Sequence, residues 1–421
     1  MEMFIDGTWQ PSDGGESFAV TNPATGVVVD RVPDATASDA DRAIASGARA
    51  FADWRHRPVT ERAAILKACS AAMRDAADEI GTLLNAELGR PLSGCIGEIS
   101  RSADLMDIYA EEGLRLQATM GLGAAQGEKT IVTRDPVGVV VAITPFNYPV
   151  TLLLFKLGAA LAAGCAVVAK PSEDTPLSTL KLAEVFAAAG LPAGCFNVVT
   201  GQGRALGEAL VAHPVPRKIA FTGSTAAGKA IAAAAAGTMK RLTLELGGQS
   251  AAIVCADADL EKATSAIARH GFANSGQFCY RVNRVYAERA IYDSFVAQLT
   301  EKVAKLSLAP AGGQGDLGPL INAKIFANSE AQVADARSKG ARIVMGGERQ
   351  TGPGFDGGHY FPPTIIADAA PGMAILTEET FGPVLGICPV DSPAEALGQA
   401  NDSRYGLAGF VFTRDLARGL A

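Results

Sequence analysis

Cys279 is the residue of this sequence best placed for covalent chemistry. It lies in "ANSGQFCYRVNR", residues 273–284, where Gly276 and Gln277 set it at a break between a predicted helix and a predicted strand. A thiol at such a break can be presented into a cleft with a backbone N–H beside it, and a thiolate is the natural nucleophile for a carbonyl carbon. Cys165, Cys195 and Cys255 sit instead in apolar strand patterns and are assigned to the interior. Two other groups match this chemistry. Glu245, in "LTLELGGQS", has leucines on both sides at the end of a predicted strand; burial there would raise its pKa toward that of a general base, while an edge-strand glutamate facing water is an equally open reading. Asn147, in "TPFNYP", follows a strand where a side-chain amide could donate to a developing oxyanion, although Asn beside Pro is also ordinary turn chemistry.

Anion and ribose sites come next. "FTGSTAAG" passes from a strand through Gly223 and Ser224 into a helix, so bare backbone N–H groups and a hydroxyl face an anion there. "VVAKPSE" ends another strand with Lys170 and Glu173, a cation and a carboxylate able to hold ribose hydroxyls. No G-x-G-x-x-G is present, and "GQGRALG" is only a loose relative of it.

These residues need a scaffold, and the chain has the length and patterning for one. At 421 residues, 48% hydrophobic and 19% charged, it predicts a large globular protein of more than one domain. From Val137 onward, β-branched runs ("VGVVVAIT", "CAVVAKP", "CFNVVTG", "KIAFTG") alternate with helical segments, which specifies a parallel sheet covered on both faces. A second unit of the same class follows Gly248, with "SAAIV", "NRVYA" and "ARIVMGG" as strands between helices. Ala-rich helical segments are predicted over 39–51 and 60–89, and "KTIVTRD" after a Gly-rich turn reads as a protruding strand or hairpin, a candidate subunit contact. Lys+Arg at 37 against Asp+Glu at 44 gives a net charge of −7 without a basic stripe, so nucleic acid is not an expected partner. Seven cysteines without a C-x-x-C pair and four scattered histidines predict neither a disulfide framework nor a metal site. No signal or membrane-spanning pattern is apparent, and a cytoplasmic protein is expected.

In this order along the chain, "FIDGTW", "NPATG", "ELGRPL", "PFNYP", "AAGCAVVAKPSE", "FTGST", "LELGG", "NSGQFC" and "EETFGPV" together resemble the aldehyde dehydrogenase superfamily, closest in style to its succinate-semialdehyde branch. The resemblance implies an α/β fold of two doubly wound Rossmann-like domains with a small β oligomerisation hairpin. The NAD-binding domain would comprise 1–116 and 137–247, the hairpin 117–136 and the catalytic domain 248–421. It implies Cys279 as nucleophile, Asn147 with the Cys279 N–H as oxyanion hole, Glu245 as the base that activates water, and Lys156 near a proton exit path. Cofactor contacts would come from Thr144, Pro145, Phe146, Lys170, Glu173, Gly203, Gly223, Ser224 and Gly247, with Glu379 and Phe381 at the nicotinamide ribose and ring. The implied reaction takes an aldehyde to a carboxylic acid through a hemithioacetal and a thioester on Cys279, and the presence of Glu245 favours hydrolysis over transfer to coenzyme A. NAD is the expected cofactor, with NADP possible, because a carboxylate at Glu173 accepts from a ribose 2′-hydroxyl but repels a 2′-phosphate. Where the succinate-semialdehyde branch carries a substrate arginine this chain has Phe155; with Tyr148, Leu152, Phe278 and Tyr280 the tunnel is expected to be apolar and to take a small neutral aldehyde. The chain stops at "FTRDLARGLA", short of the family's tail, so a C-terminally incomplete fold is expected, with a dimer or tetramer if that tail is present. The rival readings are a nucleotide-binding relative without turnover and a cysteine hydrolase pairing Cys279 with His270.

Overall fold

The turn residues of "FIDGTW" dictate how the chain begins. Asp6 and Gly7 both have positive φ, 56° and 76°, the conformation of a two-residue turn whose twist matches its strands. They join β1 (Met3–Ile5) to β2 (Thr8–Gln10) with Ile5 opposite Thr8. The computed structural model describes all residues, Met1–Ala421, and the chain divides into two compact units. The first comprises Met1–Thr21, Val28–Leu88 and Leu92–Glu245; the second comprises Asn22–Val27, Gly89–Pro91 and Leu246–Ala421.

In the first unit β3 (Ser17–Thr21) and β4 (Val28–Pro33) form a small antiparallel sheet, followed by α1 (Ala37–Trp54), α2 (Val59–Asp75), α3 (Ala77–Leu88) and α4 (Leu92–Leu114). A separate hairpin, β5 (Thr119–Leu122) and β6 (Lys129–Val132), comes next. Then strands and helices alternate: β7 (Val139–Ile143), α5 (Pro149–Ala162), β8 (Ala166–Lys170), α6 (Leu177–Ala188), β9 (Phe196–Val198), α7 (Ala205–Ala212), β10 (Lys218–Thr222), α8 (Thr225–Ala236) and β11 (Arg241–Glu245). The sheet order is β11-β10-β7-β8-β9-β1-β2. Its first five strands are parallel, as the buried β-branched runs predict, but β1 joins β9 antiparallel. A purely parallel sheet is therefore corrected to a mixed one: β1 runs against β9 through a long-range pairing, and the tight Asp6–Gly7 turn then sets β2 antiparallel to β1 at the edge. The helical stretch expected over 60–89 is two helices broken at Ala76, and α4 lies beyond the predicted helices.

In the second unit β12 (Ala251–Val254), α9 (Leu260–Phe272), a 3₁₀ turn (Ala273–Gly276), β13 (Arg284–Glu288), α10 (Tyr292–Val303), α11 (Ala323–Ser338), β14 (Arg342–Met345), β15 (Thr364–Ala367), α12 (Ala374–Thr377), β16 (Val384–Val390), α13 (Pro393–Asn401), β17 (Gly409–Phe412) and α14 (Leu416–Leu420) follow in order. The sheet order is β14-β15-β16-β13-β12-β17, with only β14 antiparallel. Alternate residues of β12 fall into two different cores, Ala251 and Ile253 on one face and Ala252 and Val254 on the other. Burial on both faces is what a central strand of a doubly covered sheet requires.

Two buried glutamates position the helices after β7 and β8. Glu98 of α4 accepts from the Val150 and Thr151 amides at 3.1 and 3.0 Å, capping α5. Glu87 of α3, in "ELGRPL", accepts from the Leu177 amide at 2.7 Å and from the Ser178 amide and hydroxyl at 3.0 and 2.5 Å, capping α6. Burial pushes the Glu87 carboxyl up to about 8, against those three donors, which pull it down. The Glu87→Gln variant leaves a buried donor without an acceptor and should lose about 1–3 kcal/mol in urea denaturation. A folded-state pKa raised above the unfolded value contributes stability below the unfolded pKa that is lost as pH rises through the folded one. The deficit of the variant should therefore be larger at pH 5 than at pH 8; a deficit that grows with pH would mean that the donors outweigh burial.

Candidate active site

In the first unit the parallel strands bring several of the expected residues to their carboxyl ends. Thr144 follows β7; its amide donates to the Lys170 carbonyl at 3.1 Å, and its hydroxyl oxygen is buried with no hydrogen-bond partner. Asn147 is buried, with Pro145, Phe146 and Tyr148 half-buried around it in sequence. Lys170 ends β8 as a buried amine directed at the Pro171 carbonyl, 3.5 Å away. Burial pulls its pKa down, while the carboxylates of Glu173 and Asp34 push it back up. Glu173 is exposed. Asp34, which the sequence reading missed, also accepts from the Gln202 amide at 2.8 Å beside the left-handed Gly203 (φ 62°). Ser224 caps α8, its Oγ accepting from the Ala227 amide at 3.3 Å, and Gly223 donates its N–H to the Glu245 carbonyl at 3.0 Å. A buried unpartnered hydroxyl, a buried cation beside two carboxylates and a capped helix start are the donors and acceptors that a dinucleotide needs.

Two findings concern the proposed base and proton path. Glu245 is exposed at the end of β11, an edge strand, so of the two readings left open for this glutamate the water-facing one holds: Leu242 and Leu244 alternate to the opposite face of the strand. Lys156 is half-buried on α5, its Nζ donating to the Thr222 hydroxyl at 2.6 Å and the Leu152 carbonyl at 3.0 Å. Burial pulls its pKa down to about 8, and the Glu245 charge opposes that shift. Leu152 and Phe155 lie on the same stretch of α5, and Phe155 is 49% exposed.

In the second unit the loop before Cys279 is held in an unusual backbone conformation. Asn274 and Ser275 have left-handed dihedrals (φ 50° and 55°), and Gly276 follows at φ 74°. For the two non-glycine residues this costs about 1–3 kcal/mol each. The Ser275 hydroxyl donates to the Gly318 carbonyl at 2.7 Å, and Gln277 accepts from the Ile321 amide at 3.0 Å. Cys279 emerges half-buried from this loop, whereas the other six cysteines are buried. Phe278 is buried and meets the exposed Tyr280 edge to face, ring centroids 5.0 Å apart. Gly247 and Gly248 face the Glu379 carboxylate, which accepts from the Gly248 amide at 3.2 Å. Burial raises the Glu379 pKa, with Gly248 and Arg281 opposing. Phe381 has φ 54°. His270 packs against Phe410, centroids 5.6 Å apart, and burial lowers its pKa. The sequence reading also missed Arg281 and Arg284, both buried with guanidinium groups on backbone carbonyls. No cluster of His, Cys, Asp and Glu suited to a metal ion is present, and no helix is long and apolar enough to cross a membrane.

A half-buried thiol on a strained loop and strand ends carrying Lys170, Gly223 and Ser224 are features in keeping with a nucleotide-dependent dehydrogenase. The aldehyde dehydrogenase family matches residues 9–421, and the chain belongs to it. The chain is 40% identical over 418 residues to the succinate-semialdehyde dehydrogenase [NADP(+)] GabD of Escherichia coli strain K12, covering 99% of this chain and 86% of that protein. Two solved structures superpose closely. A 3,6-anhydro-L-galactose dehydrogenase in complex with NAP gives a TM-score of 0.96 at 36% identity, covering 99% of this chain and 88% of that one. The lactaldehyde dehydrogenase from Escherichia coli gives 0.95 at 38%, covering 99% and 87%. The protein is thus an oxidoreductase, an NAD(P)-dependent aldehyde dehydrogenase, and a relative without turnover is not favoured. The family match runs to Ala421 and lends no support to the expected loss of a C-terminal part.

Gly248 offers a direct check on the thiol geometry. A Cβ there would lie 2.5 Å from the Cys279 carbonyl oxygen, so Gly248→Ala must displace the peptide that follows the nucleophile. Its kcat for NADH formation is expected to fall about a hundredfold, with cooperative thermal melting retained; an unchanged kcat would show that the peptide tolerates the shift.

Proposed function

We propose that the chain oxidises a small neutral aldehyde to a carboxylic acid, with Cys279 as the nucleophile and Glu245 as the base for hydrolysis. The observation that carries the reading is Cys279 itself, half-buried on a backbone held left-handed for three residues while the other cysteines are buried. NAD(P), when bound, supplies the hydride acceptor. The residues of the chain do the rest. The Cys279 thiolate adds to the aldehyde carbon, and Asn147 with the Cys279 amide donates to the oxyanion. After the oxidation a thioester remains on Cys279, and the exposed Glu245 carboxylate takes a proton from the water that cleaves it. Lys156, with its pKa lowered to about 8 and Thr222 as partner, is suited to pass that proton onward.

For the cofactor, Thr144, Lys170, Glu173, Gly203, Gly223 and Ser224 are proposed to hold the adenosine and phosphate end, with Pro145, Phe146 and Gly247 lining it and Glu379 and Phe381 at the nicotinamide ribose and ring. Two carboxylates beside Lys170 favour NAD over NADP, since they accept from a 2′-hydroxyl and repel a 2′-phosphate. We assign Tyr148, Leu152, Phe155 and Phe278 to the substrate path, side chains whose apolar character favours a neutral substrate over a semialdehyde acid. We assign the NAD-binding role to 1–116 and 137–247 and the catalytic role to 248–421. The hairpin within 117–136 exposes Met120, Leu122, Ile131 and Val132, with Leu122 91% exposed, a surface suited to association with a second copy.

The test is NADH absorbance on mixing the purified chain with NAD and a panel of neutral and carboxylated aldehydes. Faster turnover of succinate semialdehyde than of every neutral aldehyde would overturn the substrate assignment. The Cys279→Ser variant should lose about a thousandfold or more in kcat and hold its NAD affinity; retained turnover would remove Cys279 as nucleophile. Glu245→Gln should still give a burst of NADH followed by a slow steady state, and loss of the burst would place Glu245 earlier, in activating the thiol. Thioester hydrolysis that persists without NAD and needs His270 would instead support a cysteine hydrolase.

A further inference from the structure

We propose that Arg281 is a positioning residue that locks the loop carrying Cys279 to the segment carrying Glu379 and Phe381, so that one buried guanidinium sets both the thiol and the nicotinamide-side contacts. This rests on the roles proposed above for those residues. The geometry is specific. Arg281 lies two residues after Cys279, and its amide donates to the Phe278 carbonyl at 3.4 Å, closing the turn that contains the nucleophile. Its side chain is almost wholly enclosed. Nε donates to the Gly271 carbonyl at 3.1 Å near the end of α9, Nη1 to the Gly382 carbonyl at 2.6 Å, and Nη2 to the Val384 carbonyl at 2.6 Å.

Two of those carbonyls lie just C-terminal to the Glu379–Phe381 segment, and the third lies near the end of the helix that leads into the Cys279 loop. Gly382 follows Phe381 directly and lies three residues after Glu379, while Val384 begins β16. The same Gly382 carbonyl packs against the α-carbon of Gly276, where any side chain would collide with it. The left-handed run before Cys279 and the turn after it therefore both press on one peptide of the Glu379–Val384 segment. The fork shape of the guanidinium matters here, because its donors are fixed relative to one another and can hold separate carbonyls at set distances. A buried cation among carbonyls is expensive, and an apolar side chain of similar volume would fill the space at lower cost. The electrostatics agree with the geometry: burial lowers the Arg281 pKa, and the Glu379 charge opposes that shift.

The experiment compares the unsubstituted chain with Arg281→Lys, which keeps the charge but not the fork, and Arg281→Met, which keeps neither. The second-order rate of Cys279 alkylation by iodoacetamide, followed by peptide mass, reads the thiol loop without cofactor or turnover. The KM for NAD reads the Glu379–Phe381 segment. In variants that melt cooperatively, the alkylation rate should change about threefold or more and KM for NAD should rise about fivefold or more, with Arg281→Lys the milder. Lowered melting temperatures with both readouts within about twofold of the unsubstituted chain would reduce Arg281 to a structural residue, and movement of one readout without the other would break the coupling; either result overturns the proposal. If Arg281→Met does not fold, Arg281→Lys decides by the same criteria. An unsubstituted chain that makes no NADH from any aldehyde sinks the functional reading instead, and the alkylation rates then decide the Arg281 assignment by themselves.

Discussion

The backbone before Cys279 is the constraint on which the second unit is built. Two non-glycine residues held left-handed cost free energy that their own side chains recover only in part, through the Ser275 bond to the Gly318 carbonyl and the surrounding enclosure. Such a conformation persists only where neighbours leave no alternative. Here Gly276 has no room for a Cβ against Gly382, Gly248 has none against the Cys279 carbonyl, and Gln277 is fixed by the Ile321 amide and the Asn274 carbonyl. The glycines of "LELGG", "NSGQFC" and "TFGPV" are thus places where separate chain segments approach closely around the thiol peptide.

In the first unit the equivalent constraint is electrostatic. Helices α5 and α6 each follow a strand through a short loop, and each has its first amides satisfied by a buried carboxylate from a distant helix. A carboxylate at a helix N-terminus is favoured by the partial positive charge there. The long helices α3 and α4 therefore do more than cover the sheet, since Glu87 and Glu98 fix where α6 and α5 start. Lys156, Phe155 and Leu152 are placed by the second of these caps.

Much of this was legible in the sequence. The strand and helix alternation from Val137 to Glu245 follows from buried β-branched runs, and the Gly-containing breaks locate Cys279, Ser224 and Lys170 at the ends of elements. Three kinds of feature were not. The antiparallel β1 gives little periodicity over three residues, so its addition to the sheet depends on a long-range pairing of Phe4 with Val198. The side of the strand that Glu245 takes stayed open, because flanking leucines look like burial until the edge position and strand alternation are known. Arg281 gave no signal at all: its partners are backbone carbonyls as far as 103 positions away, and a carbonyl has no sequence signature.

Burial sets Cys279 apart from the other six cysteines. A thiol acts as a nucleophile through its thiolate, and enclosure in apolar surroundings disfavours that charge. Burial pushes Cys69 and Cys195 up to about 12 and Cys388 up to about 11, so at neutral pH these groups behave as small apolar side chains. Cys165 and Cys255 are shifted in the same direction by the same cause. The left-handed loop lifts Cys279 out of that environment without removing it from the sheet unit that carries Glu379 and Phe381. The difference in exposure among the seven thiols thus goes with backbone conformation, Asn274 and Ser275 being held against their own local preference.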